Sequence, residues 1–414
     1  MATLAIVACG DSGDNHGGVT LSMQPDDICP RPNETLPMPT RPHAAPIFPT
    51  SVWACSDPEQ AGSMLGGALP GYVYQRDGHP NADQLVSKCC ELHRAEQAVI
   101  TSSGMSALST AVLSQLQTGD HVLLSSHLYG KSQYLIGTEC ARLGITSSLV
   151  DTCDLQATAD AMKPATRMIV VETIANPRLQ VADIGALSEI AARHRAHLLV
   201  DNTFATPILC RPLTLGADLA LESITKMMNG HSDVILGMLA GFDHNWSRVP
   251  GVVSAWGLAS APFECWLASR GLMTLAVRME RACATALKVA EYLAGRRDVA
   301  RVDYPGLSSH PDHALATRLL GGRFGSIVTF HLPGGTPASA RFMRATPSIP
   351  FCPSLGEVST TLSHPESTSH RGLTIEQRAA LGIDGGTIRL SVGIESPDYV
   401  LDSLHEGLNS LEGA

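Results

Sequence analysis

The chain has 414 residues, a formal net charge of −10 at pH 7 and 44% hydrophobic residues, and only 5% of its residues are aromatic. This length exceeds one compact core, so we expect two or three domains. The acidic balance argues against a general nucleic-acid surface, which needs a stripe of basic side chains. No apolar run approaches the roughly 20 residues of a membrane-spanning helix, so we expect a soluble protein.

The 11 cysteines are scattered along the chain without a CxxC pair, and the adjacent Cys89 and Cys90 match neither a metal nor a redox spacing. Reduced thiols in a cytoplasmic enzyme fit this pattern best. The first residues, Met1–Cys9, lack the basic segment of a secretory signal, and their apolar run is too short for one. We therefore expect a cytoplasmic location.

Residues 1–64 are rich in Gly, Pro, Asp and Ser, with the densest proline tract at Cys29–Pro42. This composition predicts an extended N-terminal arm rather than a domain. Within the arm, Gly10–Gly13 imitates the nucleophile segment of a serine protease. No histidine context supports such a site, so we set it aside.

Residues 65–262 alternate short apolar runs with helical patterns, which is typical of an α/β domain. Between two runs, Asp183 precedes a segment with apolar residues at helical spacing, which indicates a capped helix. This order predicts a mostly parallel sheet covered on both faces, with ligands beyond the C-terminal ends of its strands. The predicted strands are His121–Ser125, Ile145–Val150, Met168–Val171, Leu198–Val200, Leu219–Leu221 and Val234–Leu239.

In residues 263–414 the regular alternation of short apolar runs and helical patterns ends. A long helical stretch, Leu267–Gly295, begins the region and carries apolar residues in helical register. We expect a smaller C-terminal α+β domain here.

Lys226 is the most informative single residue of the chain. It follows two hydroxyls, Ser223 and Thr225, and the apolar run Ala217–Leu221 places it at the end of a buried strand. A lysine that bonds to the aldehyde of pyridoxal phosphate (PLP) must lose its charge in a nearly dry pocket, where burial lowers its pKa. The two hydroxyls could bind the phosphate of that cofactor. The alternative is an ordinary surface lysine.

A partner for the pyridine nitrogen of PLP lies upstream. Asp201 ends the apolar run His197–Asp201, and an acidic side chain at the end of a parallel strand can keep the ring nitrogen protonated, which makes the ring an electron sink. On its own, Asp201 could equally be a cap or turn residue. Together, Asp201 and Lys226 are far more specific than either alone.

Three further positions suit anion binding. Ser103–Met105 precedes a helical pattern, and the N–H groups at a helix start favour an anion; the alternative is an ordinary helix start. Tyr74 and Arg76 offer a phenol and a guanidinium fork suited to phosphate, or else form a solvated surface pair in a loop. Arg389 lies inside an apolar strand pattern, where burial is unfavourable unless an anion meets it, so we expect it to bind a substrate α-carboxylate with help from Ser354.

The chain resembles the Cys/Met-metabolism family of PLP enzymes, which includes cystathionine γ-lyase, methionine γ-lyase and cystathionine γ-synthase. The resemblance runs from about Pro46 to the C-terminus, and its many matches occur in order. They are Ala45–Trp53, Tyr74–Pro80, Thr101–Ala107, Leu128–Gly130, Glu172–Pro177, Val200–Phe204, Ser223–Lys226, Gly230–Asp233, Ser269–Leu272, Tyr304–Leu307, Ser354–Gly356, His364–Pro365 and Ile388–Glu395.

The resemblance implies a type-I PLP-dependent transferase fold like that of aspartate aminotransferase, and a homotetramer with active sites shared across a dimer. It implies that Gly104 and Met105 supply phosphate-binding amides beside Ser223 and Thr225. It further implies that Tyr74 and Arg76 grip the phosphate of the adjacent subunit's cofactor, although His79 and Asn81 depart from the usual form of that motif. The N-terminal arm is expected to reach over a neighbouring subunit.

Two more roles follow from the resemblance. Tyr129 is expected to lie face-on to the pyridine ring and to protonate a leaving thiol. Asn176 is expected to face the O3′ atom of the cofactor or the substrate; otherwise it is a turn residue fixed by Pro177.

The expected reaction is γ-elimination on a sulfur-containing or γ-substituted amino acid, giving a 2-oxo acid, ammonia and a thiol. The alternatives are γ-replacement by an incoming thiol, as in a synthase, and β-elimination. Lys131 could bind a distal substrate carboxylate or could simply face solvent. Pro353 replaces a side chain that often tunes substrate choice in the family, which weakens any single-substrate interpretation.

Two other interpretations have less support. A catalytically silent PLP-binding regulator is disfavoured because the chemistry-bearing residues are all retained. A metal site is not expected, because His310 with His313 and His364 with His370 lack a complete ligand set.

Overall fold

The computed structural model describes residue 40 and residues 42–411. Most of the predicted N-terminal arm, including Met1–Cys9 and Gly10–Gly13, lies outside the described residues. Residues Ala45–Ala414 form one compact unit, which contains two β-sheets. The domain boundaries after residues 64 and 262 stay predictions.

The larger sheet has seven strands, and it is mostly parallel as the sequence predicts. In spatial order, they are β1 (Gln97–Thr101), β7 (Gly237–Gly241), β6 (Leu219–Glu222), β5 (His197–Asp201), β4 (Thr166–Glu172), β2 (His121–Ser125) and β3 (Thr146–Val150). Strands β6, β5, β4, β2 and β3 pair in parallel, whereas β7 is antiparallel to both of its neighbours.

The apolar content of these strands explains why the sheet is buried on both faces. Every residue of β2 and β6 is buried. In β2, Leu123 packs into one hydrophobic cluster while Val122 and Leu124 pack into another on the opposite face. This alternation follows from the two-residue period of a strand.

The sequence predicts one strand over Val234–Leu239, but β7 begins only at Gly237. The preceding residue explains the difference. Leu236 accepts a hydrogen bond from the Thr225 N–H at 3.3 Å and donates its own N–H to the Thr225 Oγ1 at 3.1 Å. Because these bonds tie it to the turn around Lys226, Leu236 does not pair with a neighbouring strand.

Helices flank the larger sheet and continue into the C-terminal part of the chain. Asp183 caps the helix that follows it by accepting a hydrogen bond from the Ala186 N–H, as predicted. The α-helices are Pro58–Leu65, Pro80–His93, Gly104–Gln115, Gly130–Tyr134, Leu155–Asp160, Ile184–Arg193, Thr206–Leu209, Val249–Ala255, Pro262–Leu272, Leu275–Ala294, His313–Leu320, Gly335–Ala345, Ile375–Ala380 and Pro397–Asn409. Among the described residues, no helix is long and apolar enough to cross a bilayer.

The predicted helical stretch Leu267–Gly295 is divided into two helices, Pro262–Leu272 and Leu275–Ala294. At the break, the Gly271 carbonyl accepts both the N–H and the hydroxyl of Thr274 at 3.3 Å, which closes the chain over three residues rather than the four of an α-helix. The prediction of one continuous helix is therefore wrong at this point.

The smaller sheet is antiparallel and lies in the C-terminal part of the chain, which is the α+β arrangement predicted there. Its order is β10 (Thr361–Ser363), β11 (Thr387–Ser391), β9 (Ile327–His331) and β8 (Arg301–Asp303). Arg389 lies on the central strand β11, as expected.

Candidate active site

Four of the predicted site residues lie at one edge of the larger sheet. Tyr129 follows β2, Asn176 follows β4, Asp201 ends β5, and Lys226 lies in the turn after β6. These four strands are parallel, so their C-terminal ends meet at the same edge. The position of each residue after an apolar strand pattern is enough to predict that all four lie at this edge.

Lys226 is half-buried, and its amine donates a hydrogen bond to the Ser354 Oγ at 2.8 Å. Burial lowers the pKa of Lys226, and the positive charge of Arg389 lowers it further, while Glu357 opposes the shift. A lowered pKa leaves more of the amine neutral, which is the form that acts as a nucleophile or base.

A cluster of free donors lies where the helix Gly104–Gln115 begins. Ser103 caps this helix, and the N–H groups of Gly104 and Met105 donate no hydrogen bond within the described residues. A Cβ atom on Gly104 would lie 2.9 Å from the Cβ of Ser223, so the two residues are in close contact. The Ser223 hydroxyl has no hydrogen-bond partner among the described residues. Together these donors form a site suited to an anion.

Thr225 is placed differently from the expectation. Its hydroxyl donates to the Leu236 carbonyl at 3.1 Å and accepts the Leu236 N–H at the same distance. The hydroxyl proton is therefore already used by the backbone. A role for Thr225 in phosphate binding stays a prediction, because it requires the hydroxyl to rotate away from this carbonyl.

Asp201 is linked to Ser223 through one residue that the sequence interpretation missed. Thr203 donates both its N–H, at 3.0 Å, and its hydroxyl, at 2.6 Å, to the Asp201 Oδ1. The same hydroxyl accepts the Ser223 N–H at 2.8 Å. Burial raises the pKa of Asp201, and the two bonds from Thr203 oppose this by favouring the charged form. The other oxygen, Oδ2, accepts no hydrogen bond from the described residues, so it is available to a ring N–H.

Glu172 is a second residue whose role was missed. It ends β4 directly beside Asp201 in the parallel register. One carboxylate oxygen accepts the Tyr129 N–H at 2.7 Å, and the other accepts the Asn176 N–H at 3.3 Å. Burial, with the charge of Asp201, raises the pKa of Glu172 to about 8. The available signal was that Glu172 ends an apolar strand in the same way as Asp201.

Arg389 is only 4% exposed and has no carboxylate partner among the described residues. Its Nη1 donates to the Asn176 Oδ1 at 2.9 Å, and its Nη2 donates to the Ser354 carbonyl at 3.0 Å. The Nε atom has no hydrogen-bond partner in the described part of the chain. Burial lowers the pKa of Arg389 to about 10, so it remains charged at neutral pH. A buried cation with an unused donor fits a carboxylate ligand.

Two more side chains border Arg389. Tyr129 is 40% exposed, and its phenol lies close enough to favour the charged form of the guanidinium. His370 is buried, and both burial and the charge of Arg389 lower its pKa to about 4, which keeps its ring neutral. His370 therefore adds no second positive charge beside Arg389.

Tyr74, Arg76 and Lys131 are not brought to this cluster. Tyr74 is 43% exposed, and the Arg76 guanidinium lies 5.2 Å from the centre of its ring. Lys131 is exposed, and its Nζ lies 5.5 Å from the centre of the Tyr134 ring. In the described chain, no hydrogen bond or ion pair links these three residues to Lys226, Asp201 or Arg389.

The histidines considered as metal ligands in the sequence make hydrogen bonds to other groups of the protein. His313 bonds to the Pro305 carbonyl at 2.8 Å, and His364 bonds to the Gly385 carbonyl at 2.9 Å. The described residues do include one group with metal-ligand chemistry, namely His127, Asp151 and Cys153, whose ligand atoms lie within 4.8 Å of one another. There the His127 Nε2 already contacts the Asp151 Oδ1 at 3.1 Å.

The side chains and amides at the C-terminal edge of the parallel strands match the chemical groups of PLP. Free amides and a hydroxyl suit the phosphate, Asp201 suits the ring N–H, and the lowered pKa of Lys226 suits a bond to the aldehyde. The family described as Cys/Met metabolism PLP-dependent enzyme matches residues 31–409 of this chain. The chain belongs to this family. It is therefore a PLP-dependent enzyme, as the sequence resemblance indicated.

Individual relatives agree with this assignment. The chain is 38% identical to an L-methionine gamma-lyase of Porphyromonas gingivalis, covering 89% of this chain and 93% of the relative. It is 39% identical to an O-succinylhomoserine sulfhydrylase of Pseudomonas aeruginosa, covering 89% and 91%. A crystal structure of cystathionine gamma synthase from Xanthomonas oryzae pv. oryzae superposes with a TM-score of 0.85 at 35% identity, covering 89% of this chain and 93% of that one. The predicted type-I PLP fold is thereby confirmed.

Proposed function

We propose that this enzyme catalyses γ-elimination on a sulfur-containing amino acid, releasing a thiol, a 2-oxo acid and ammonia. The observation that carries the proposal is the buried, carboxylate-free Arg389 beside Lys226. Its unused Nε suits the α-carboxylate of an amino acid, and this placement would bring the Cα atom toward the amine of Lys226. Ser354 joins the two, because its Oγ accepts from Lys226 and its carbonyl accepts from Arg389.

PLP, when bound, supplies an electron sink for the charge that develops at Cα and then at Cβ. Lys226 acts as the base that takes the Cα proton, since its lowered pKa leaves the amine neutral. Asp201, fixed by Thr203, holds the ring nitrogen protonated. Asn176 is held at its backbone by Glu172 and at its side chain by Arg389, so it can orient the O3′ atom or the substrate.

Tyr129 completes the cycle by giving a proton to the leaving sulfur as the Cγ–S bond breaks. Its main chain is fixed by Glu172, while its side chain is exposed and lies near Arg389. A proton also leaves Cβ, one proton is then added at Cγ and one at Cβ after the thiol has left, and water finally replaces the nitrogen at Cα. The balanced products are one thiol, one 2-oxo acid and one ammonia.

The choice of elimination over replacement rests on two observations. Several relatives of 36 to 38% identity bear the name L-methionine gamma-lyase. Lys131, the one residue proposed to bind a distal substrate carboxylate, lies against the Tyr134 ring. An uncharged distal group, as in methionine, therefore suits the site better. γ-Replacement on an O-acylated homoserine is the second candidate, favoured by the sulfhydrylase relative.

We also propose a homotetramer with sites shared across a dimer, in a cytoplasmic setting. The exposed Tyr74 and Arg76 support sharing, because they lie apart from Lys226 of their own chain and are free to face a partner. The described cysteines are all free thiols, which supports a reducing compartment. Analytical ultracentrifugation, with the variant Arg76→Ala, tests whether assembly and cofactor retention depend on each other.

The test of function is 2-oxo-acid release by PLP-loaded protein from methionine, cystathionine, homocysteine and O-acyl-homoserines, with and without cysteine. Release from a thioether substrate without added thiol is the expected result. Product formed only when an O-acyl-homoserine and a thiol are both present would replace this proposal with γ-replacement.

A further inference from the structure

The turn that carries Lys226 must stay fixed while the side chain of that lysine changes partners. Within the turn, the Asn229 N–H bonds to the Ile224 carbonyl at 3.0 Å, and the Gly230 N–H bonds to the Lys226 carbonyl at 2.8 Å. The carbonyls of Met227 and Met228 are not used by these bonds. They are the two carbonyls that follow Lys226 most closely.

Arg278 donates hydrogen bonds to both of these carbonyls. This residue lies on the helix Leu275–Ala294 and is 7% exposed. Its Nη1 donates to the Met227 carbonyl at 2.7 Å, and its Nη2 donates to the Met228 carbonyl at 2.9 Å. One guanidinium therefore bridges two consecutive peptide groups of the lysine-bearing turn.

The remaining donors of Arg278 attach it to the break between the two long helices. Its Nη2 also donates to the Gly271 carbonyl at 3.0 Å, and its Nε donates to the Thr274 Oγ1 at 3.1 Å. Four of the five N–H groups of a guanidinium are thus used, all by neutral acceptors. The planar fork fixes its acceptors in a way that a flexible ammonium does not.

Glycines make the close fit possible. Gly230 has a φ of +79°, and a Cβ atom there would overlap the Arg278 guanidinium. A Cβ atom on Gly271 would lie 2.5 Å from the Asn229 carbonyl oxygen, and one on Gly356 would lie 2.6 Å from the Met227 N. The turn is therefore held between the guanidinium on one side and Gly356 on the other.

We propose that Arg278 is a positioning residue for Lys226. It acts through the main chain of the turn, so that the amine returns to one place after each change of bonding partner. The inference rests on the role given to Lys226 in the proposed function. It does not depend on which amino acid is the substrate, since Arg278 touches neither the reacting atoms nor Arg389.

The test compares Arg278→Met, which removes every donor, with Arg278→Lys, which keeps the charge but not the fork. The matched control is Arg281→Met, an exposed arginine on the same helix whose Nε donates only to the Glu395 carbonyl at 3.3 Å. Three quantities are measured: the PLP dissociation constant, the fraction of protein in which borohydride fixes a pyridoxyl group on Lys226, and kcat with KM. Thermal unfolding of the PLP-free proteins is followed in parallel.

For Arg278→Met we expect PLP affinity and kcat per folded protein to fall by about tenfold or more, because two bonds to the turn are lost. The fraction fixed on Lys226 should fall with them, and KM should change little. Arg278→Lys should lie between this variant and the wild type. Arg281→Met should stay within about twofold of the wild type.

A lower unfolding temperature with PLP affinity, Lys226 fixation and kcat all within twofold of the wild type would overturn the proposal, because it would reduce Arg278 to a fold-stabilising residue. If Arg278→Met does not fold, Thr274→Val removes the acceptor of the Arg278 Nε, together with the hydroxyl bond to the Gly271 carbonyl, and is expected to shift the same three quantities by a smaller factor. An unchanged Thr274→Val together with an unchanged Arg278→Lys would also overturn it. PLP binding and fixation on Lys226 can be measured even if the wild type releases no 2-oxo acid. Failure of the proposed function can therefore be distinguished from failure of the proposal for Arg278.

Discussion

Arg278 and Arg389 are both buried and neither meets a carboxylate among the described residues, yet their donors are used differently. Arg278 donates four N–H groups to three backbone carbonyls and one hydroxyl. Among the described residues, Arg389 donates only to the Asn176 Oδ1 and the Ser354 carbonyl, and its Nε has no partner. A buried cation that uses four of its five N–H groups in this way holds the chain in place. One that uses only two within the described residues is prepared for an anion that arrives from outside.

The comparison separates two kinds of contribution to one site. Arg278 fixes the main chain that carries Lys226, whereas Arg389 offers charge to a ligand beside the same lysine. Loss of the first should weaken cofactor attachment, and loss of the second should weaken substrate use. Single substitutions in the site test this separation.

Lys226→Ala should have the largest effect. Turnover is expected to fall by about a thousandfold or more, because both the cofactor bond and the base are lost. 2-Oxo-acid release measures it, and borohydride should no longer fix a pyridoxyl group on the protein. The exposed Lys288→Ala serves as the control, and near-normal turnover in Lys226→Ala would contradict the whole assignment.

Arg389→Leu is expected to lower kcat/KM by about 100-fold or more, the range found when one member of a buried charge pair is removed. Its PLP affinity should stay within about twofold of the wild type, because Arg389 is assigned to the substrate. The reverse pattern, with weak cofactor binding and normal kcat/KM in saturating PLP, would show that Arg389, like Arg278, supports cofactor attachment rather than substrate binding.

Glu172→Gln tests the residue that holds both Tyr129 and Asn176. The pKa of Glu172 is raised from 4.5 to about 8, so between these pH values the native protein keeps a proton that the unfolded chain has lost. The free energy of unfolding of the PLP-free protein should therefore fall as the pH rises through this range. In Glu172→Gln this fall should be shallower, although the neighbouring Asp201 retains part of it.

Urea unfolding at several pH values measures this slope, and the exposed Glu91→Gln is the control. Equal slopes in the wild type and Glu172→Gln would show that the carboxyl of Glu172 does not titrate in this window. The kcat of the variant should fall by about tenfold, since the amide nitrogen of Gln cannot accept one of the two backbone N–H groups.

Lys131→Ala should have the smallest effect. An exposed lysine beside an aromatic ring contributes little, so kcat/KM with methionine should change by less than about twofold. The same small change is expected with O-succinylhomoserine. A tenfold loss confined to the succinylated substrate would instead make Lys131 the binder of a distal carboxylate and favour γ-replacement.

The sequence predicted the parallel sheet and the edge that carries Tyr129, Asn176, Asp201 and Lys226, because apolar runs and the polar residues that end them are local signals. It failed where a contact joins distant residues. Leu236 was placed in a strand since nothing local shows its bonds to Thr225. The helix break at Thr274 has a local cause, the bond of its hydroxyl to the Gly271 carbonyl, which the apolar pattern of the stretch does not show.

The supporting residues of the site were the hardest to predict. Arg278 lies in an amphipathic helix pattern, and its two acceptors in the lysine-bearing turn lie 51 and 50 residues away along the chain. Glu172 and Thr203 are close to predicted residues in sequence, yet their partners become visible only once strands and loops are assembled. What a side chain touches across the fold cannot be inferred from its own segment.

The most direct measurement of the central claim pairs Arg389→Leu with a substrate that lacks the carboxylate. Release of methanethiol, measured as kcat/KM, is compared for methionine and methioninamide in the wild type and in the variant. If Arg389 binds the α-carboxylate, the wild type should prefer methionine by about 100-fold or more, and the variant should lose most of that preference. An equally strong preference in Arg389→Leu would contradict the account, because the carboxylate would then be held elsewhere.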